Sequence, residues 1–178
     1  HSSGVSALQV IFTVLHAGGK FSSEGGYKTS GGLHGVGASV VNALSEFLEV
    51  TIFNNQGTYA MRFDNGGKEI SKLNHSKVKE KQGSLVRFKA DGSIFKNAIF
   101  SFDTICERIQ ESAFLLNGIE FVVEDKRTGD SKTFVYEDGL RAFMAYIHEE
   151  TETLNDTILL NGSMDTIDVQ IALQYDDG

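Results

Sequence analysis

The sequence predicts an α+β fold, a two-layer α/β sandwich in which one mixed sheet carries helices on one face. Three observations lead there. Two segments in the first third repeat apolar residues at helical spacing, the middle of the chain switches to alternating strands joined by short Asn/Gly turns, and strand follows strand without a crossover helix. The last point excludes a doubly wound βαβ repeat. With 178 residues and 40% apolar side chains the chain is long enough for a core of its own. Its single cysteine excludes an internal disulfide and a cysteine-based zinc cage.

In order along the chain, residues 6–16 place Leu8, Ile11, Phe12 and Leu15 on one helix face, with a strand as the alternative because Val10, Ile11 and Val14 are β-branched. Val36, Val40, Val41, Leu44, Phe47 and Leu48 repeat at helical spacing, so a second helix starts near Gly37. From Leu48 to Phe53 the pattern alternates, residues 54–57 turn, and Thr58 to Phe63 continues: a hairpin. Residues 64–67 form the next turn, 74–83 a polar loop and 84–88 a strand. Asp103 is placed to cap a helix whose Ile105, Cys106, Ile109 and Ala113 share a face. Residues 119–124 and 132–137 read as a second hairpin around Arg127 to Asp130. Leu140, Phe143, Met144 and Ile147 mark a last helix. Ile167, Val169, Ile171 and Leu173 alternate with polar residues as a half-buried strand should.

The charge balance, 16 basic against 24 acidic residues for a net of −8, argues against nucleic acid as a direct ligand, because a duplex binder clusters its cations. The basic run from Lys77 to Lys81 is short, is broken by Glu80 and reads as a solvated loop. No run approaches the roughly 18 apolar residues of a membrane span, and no segment resembles a signal peptide, so a cytoplasmic location without membrane contact is expected. No two histidines have metal-ligand spacing. His75 and His148 read as solvent-facing, His16 as a capping or core residue, and Cys106 as a buried, inert thiol.

Chemistry concentrates in one segment. Eight of the 19 glycines fall within residues 18–37, interleaved with Lys20, Tyr27, Lys28 and His34, unlike a passive Gly/Ser linker. Gly32-Leu33-His34-Gly35-Val36-Gly37-Ala38 runs straight into the second helix. Glycines in a tight turn let backbone N–H groups converge on one point, and a helix start adds its positive end, a combination that suits phosphate. The spacing G-x-x-G-x-G is neither the dinucleotide fingerprint nor a P-loop.

His16 to Phe21 together with Gly26 to Ser45 resembles the ATP-lid region of the ATPase subunits of bacterial type IIA topoisomerases, the family of DNA gyrase B and its topoisomerase IV counterpart. A weaker resemblance covers nearly the whole chain, including residues 62–67, 111–116 and 172–178. Glu111 to Leu116 and Glu124 to Arg127 look more like topoisomerase IV than gyrase. The resemblance implies the fold shared with heat-shock chaperones, histidine kinases and MutL proteins. It implies ATP and Mg²⁺ as cofactors, with Gly32, Leu33, His34, Gly35, Val36, Gly37 and Ala38 supplying donors to the phosphates. Lys20 would lie over those phosphates, Tyr27 at the nucleoside, Ser84 at the adenine end in place of the family's usual threonine, and Arg62 at the rim of the adenine pocket. Residues 1–165 would belong to the ATP-binding domain and 166–178 to the start of the transducer domain.

The family's general-base glutamate, its magnesium-binding asparagine and its adenine-reading aspartate have no match here; in the family's order they fall upstream of His1. The resemblance therefore implies an interior fragment, lacking the first strand and helix of the domain, with no catalytic residue and no metal ligand of its own. The whole protein would bind and hydrolyse ATP to drive DNA strand passage, as a homodimer acting with the DNA-cleaving subunit and touching DNA through other domains; this fragment alone would be inactive. Two alternatives stand beside that reading: a non-catalytic interaction module of the same fold, and another ATPase of that fold.

Overall fold

The computed structural model describes residues 4–17, 34–78, 82–165 and 167–177. The chain divides into two compact units, residues 1–98 and 99–178. In the first, Ser6 opens helix α1 (Ala7–Thr13), its Oγ accepting the Gln9 N–H at 3.1 Å. The β-branched residues do not make this segment a strand, because the helix lays Leu8 and Phe12, one turn apart, on a common core. Helix α2 (Gly37–Ala43) follows, and then strands β1 (Ser45–Asn54), β2 (Gly57–Asp64), β3 (Glu69–Ile70), β4 (Asn74–Ser76) and β5 (Gly83–Ala90).

These strands form one sheet in the order β3-β2-β1-β5, with β4 also paired to β2. Every ladder among the described residues is antiparallel, including those of the two hairpins in the second unit. Register puts Leu48 opposite Phe63 and Phe88, Val50 opposite Met61 and Val86, and Ile52 opposite Tyr59 and Ser84. Cross-strand partners share a face, so these residues line one side of the sheet. Leu48, Val50, Met61 and Phe63 are buried there together with Phe12, and Leu8, Ala38 and Ile52 pack around them. Both helices therefore cover the same face, which is the two-layer arrangement.

Helix α2 is shorter than its apolar pattern suggests. It ends at Ala43, and Phe47 and Leu48 belong to β1. Leu44, Leu48 and Ile52 lie four apart, a spacing that satisfies a helix face and also strand parity; the cross-strand partners of β1 decide the matter. The polar loop expected over 74–83 contains the short β4.

In the second unit, helix α3 (Phe102–Leu115) is capped by Ser101, whose Oγ accepts the Thr104 N–H at 3.3 Å. Asp103 is not the cap; it lies in the first turn, where its charge favours the positive helix end. The α3 face carrying Cys106 and Ala113 packs with Phe134 and, around them, Phe102 and Ile109 of α3 itself and Phe121, Val123 and Tyr136 from the hairpin region. That hairpin pairs β6 (Phe121–Glu124) with β7 (Ser131–Phe134). Helix α4 (Gly139–Ile147) meets α3 through rings: Phe114, 2% exposed, has the Tyr136, Phe143 and Tyr146 centroids at 4.1, 5.1 and 5.4 Å. Gly139 makes this approach possible, because a β-carbon there would collide with the Phe114 carbonyl oxygen and with Asn117 Oδ1.

Strands β8 (Ile158–Met164) and β9 (Ile167–Leu173) form a separate two-stranded hairpin. The boundary expected between residues 165 and 166 falls at its tip, whereas the division into compact units falls after Ala98. The alternation of β9 is present, but its apolar side is not half-buried. Ile167, Val169, Ile171 and Leu173 are 43–59% exposed, because their partners on β8 lie beside them and not above them. His148 departs from expectation in the other direction. Its side chain is 9% exposed, with Nδ1 2.9 Å from the Met144 carbonyl and Nε2 3.3 Å from Asp176.

Candidate functional site

The start of α2 is built by its turn and by two braces from α1. Gly35 takes a positive φ of 61°, which only glycine adopts without strain and which the tight entry into the helix requires. Val36 occupies the N-cap position and offers no side-chain acceptor, and the first turn holds no acid. The hydroxyl of Ser39, the one polar side chain in that turn, points back and donates to the Val36 carbonyl at 3.0 Å. The first-turn amides of Gly37, Ala38 and Ser39 have no intrahelical acceptor by helix geometry, and no side chain caps them.

The braces are long-range. Nδ1 of His16, itself at φ 60°, donates to the His34 carbonyl at 2.8 Å, and Nδ2 of the buried Asn42 donates to the Phe12 carbonyl at 2.9 Å. The end of α1 is thus tied to both ends of α2. Neither partner is legible from spacing, since the bonded residues are 18 and 30 apart.

Of the residues singled out from the sequence, His34, Gly35, Val36, Gly37 and Ala38 are contiguous at this helix start. Ser84 lies on β5 opposite Ile52, on the helix-bearing side of the sheet. Lys20, Tyr27, Gly32 and Leu33 lie outside the described residues, and so does His1, the residue before which the general base is expected. The helix-bearing face runs past the buried core onto β5, where Val86 and Phe88 are 47% and 43% exposed, and Ile11 on α1 is 44% exposed. An exposed apolar strip with a hydroxyl on the same strand, and in the same unit an uncapped helix start, offer a flat ring system and an anionic tail different partners.

Arg62 is not at the rim of this face. It pairs in register with Glu49, between Leu48 and Val50, and so projects from the opposite side of the sheet. There it binds Asp64 and Glu49, and its guanidinium lies 4.4 Å from the centroid of Phe47; Arg87 reaches Glu49 at 3.3 Å. The hydrogen bonds that Arg62 donates to Asp64 first, and to Glu49 second, raise it above its ordinary value. Among the described residues no group of three or more His, Cys, Asp or Glu is placed to hold a metal ion.

Among the described residues the largest electrostatic perturbation lies in the second unit, in the β6–β7 turn. Arg127 donates through Nε and Nη2 to Asp125 and through Nη2 to the Phe100 carbonyl at 2.8 Å, while its backbone N–H also reaches Asp125 at 2.9 Å. The Arg127 side chain first, and its N–H second, pull Asp125 down to about 2. This pair fastens the turn to the start of α3.

No family model matches the chain. It is 49% identical over 181 residues to the B subunit of DNA topoisomerase 4 from Enterococcus faecalis, matching 100% of this chain and 26% of that protein. It is 48% identical to the corresponding protein of Bacillus subtilis and 47% to that of Streptococcus pneumoniae, again over 100% of this chain but 27% and 28% of theirs. The chain thus spans about a quarter of the length of these relatives. Among solved structures it is similar to the 43K ATPase domain of Thermus thermophilus gyrase B, a complex with an aminocoumarin, at a TM-score of 0.78 and 30% identity, over 99% of this chain and 44% of that one. By sequence and by fold, therefore, the chain belongs to the family of the ATPase subunits of bacterial type IIA topoisomerases, on the topoisomerase IV side, as a stretch of their ATPase region.

Proposed function

We propose that this chain supplies part of the ATP-binding domain of a type II DNA topoisomerase, which binds and hydrolyses ATP to drive DNA strand passage. The observation that carries the reading is the 47–49% identity to topoisomerase 4 B subunits across the whole chain. The uncapped start of α2 supports it, with the Gly35 turn and the amides of Gly37 and Ala38 left without side-chain caps and so available to anionic oxygens, His34 and Val36 completing the turn, and Gly32 and Leu33 preceding it in sequence. Ser84 would hydrogen-bond the adenine end, with Val86 beside the ring. Lys20 and Tyr27 are assigned to the triphosphate and the nucleoside on resemblance alone. Homodimer formation, the DNA-cleaving partner subunit and a cytoplasmic location belong to the same proposal; no described helix is long and apolar enough to cross a membrane.

Phosphoryl transfer to water needs a base to orient the nucleophile and Mg²⁺ to offset the developing charge. The first turn of α2 holds no acid for either task, so the chain by itself is expected to show no ATP turnover. Magnesium-dependent ADP release by the 178-residue chain would overturn that expectation. The nucleotide assignment is tested by Gly35→Ala in the longer polypeptide that carries this chain. A β-carbon at positive φ reshapes the turn, and ATP affinity should fall at least tenfold in a binding titration. Affinity equal to the parent's would refute it.

A further inference from the structure

The net charge of −8 conceals two oppositely charged units. Residues 1–98 hold 11 of the 16 Lys and Arg against 7 acids, and residues 99–178 hold 5 against 17. Within the first unit the described cations are of two kinds. Arg62, Arg87 and Lys89 are each paired with an acid on the sheet. Lys68, Lys72, Lys77 and, in the loop after β5, Lys96 are exposed and make no ion pair among the described residues, and the first three share one stretch of chain. These three stand just before β3, between β3 and β4, and just after β4. Because β3 pairs with the Asp64 end of β2 and β4 with the Gly57 end, the three lysines follow one edge of the sheet. The acids on that edge are already engaged, Glu69 by Asn65 at 2.6 Å and Asp64 by Arg62. The eight residues of β2 span about 23 Å at the usual strand rise, the length of about seven base-pair steps of a duplex.

We propose that this edge, through Lys68, Lys72 and Lys77, contacts the phosphate backbone of double-stranded DNA. The proposal rests on the reading of the chain as part of a DNA-acting enzyme, and it names a surface of this chain itself, where the whole-chain charge balance argued for none. The lysines are point charges on flexible stems with no base edge to read, so the contact is independent of sequence and sensitive to salt. Three neutralised phosphates give a slope of log K against log salt of about −2.7, so raising salt threefold weakens binding roughly twentyfold.

The test is fluorescence anisotropy of the 178-residue chain with a labelled duplex of about 20 base pairs at about 50 mM salt, the low end of the range over which such contacts are compared, with no nucleotide present. Its outcome is therefore separate from that of the ATP titration. The parent should bind, and Lys68→Glu/Lys72→Glu/Lys77→Glu should weaken binding at least tenfold and remove most of the salt slope. The triple Gln variant should follow in the same direction, with thermal melting unchanged in both. Lys126→Glu/Lys132→Glu, in the acidic unit, should bind as the parent does. No parental binding, a triple variant that binds like the parent, or an equal loss in the Lys126/Lys132 variant would overturn the proposal. Displacement of the duplex by polyglutamate of equal charge at equal concentration would overturn the assignment to DNA.

Discussion

The two units solve the same problem, holding two helices against antiparallel strands, with different chemistry. In the first, α1 and α2 are each 7 residues long, too short to hold themselves, and side-chain bonds to backbone carbonyls brace them: His16 to His34 and Asn42 to Phe12. In the second, α3 and α4 meet through stacked rings around Phe114, and Arg108, Lys126, Arg127 and Arg141 each sit beside an acid. The first unit leaves things open: a helix start without a cap, an apolar strip on β5, and four lysines without acids among the described residues. The second unit's best-built polar feature, Asp125 with Arg127, spends its bonds within that unit, on the pair itself and on the Phe100 carbonyl. Open donors and exposed apolar surface next to a rigid brace are what a ligand needs, and a saturated ion pair is what a turn needs.

That contrast can be broken first at Gly139. If α4 is seated by direct approach to α3, Gly139→Ala should destabilise the chain by about 3 kcal/mol or more, the scale of overpacking against unyielding backbone. Urea denaturation would show it, and a loss under about 0.5 kcal/mol, the scatter of an ordinary surface change, would mean that the two helices adjust freely. The first unit's brace is probed by Asn42→Ala, which leaves the Phe12 carbonyl without its donor. A loss of about 1–3 kcal/mol is expected by the same measurement.

The acidic limb sharpens the comparison further. Asp125 is held at about 2, below the roughly 3.9 of an unfolded aspartate. A depressed carboxylate stabilises the fold fully above its unfolded value, and that contribution is lost as pH falls from about 4 toward 2. Denaturation midpoints should therefore decline more steeply over that interval in the parent than in Asp125→Asn. Parallel pH profiles would show that the pair contributes nothing there.

Much of this was legible in the sequence because local chemistry and tertiary packing agree. The turns at Asn54–Gly57 and Arg127–Asp130, the start of α2 at Gly37 and the burial of Cys106 all follow from period and turn residues. What was missed had competing local signals or non-local causes. Ser101 and Asp103 both cap well, and only the first helical residue, Phe102, decides between them. The side of the sheet taken by Arg62 follows from parity with the buried Phe63 once the strand is established, whereas family resemblance alone implies the adenine pocket. The exposure of β9 depends on what lies above it, which no periodicity records. The site was legible as a glycine turn entering a helix; the braces that hold it, spanning 18 and 30 residues, were not.

The central claim is that the amides opening α2 bind the anionic end of a nucleotide. Hydrogen–deuterium exchange in the longer polypeptide, with and without a non-hydrolysable ATP analogue and Mg²⁺, reads those amides individually. Exchange at Val36, Gly37 and Ala38 should slow at least tenfold on binding. If the analogue binds and these amides exchange at the same rate as before, the start of α2 is not where the phosphates sit.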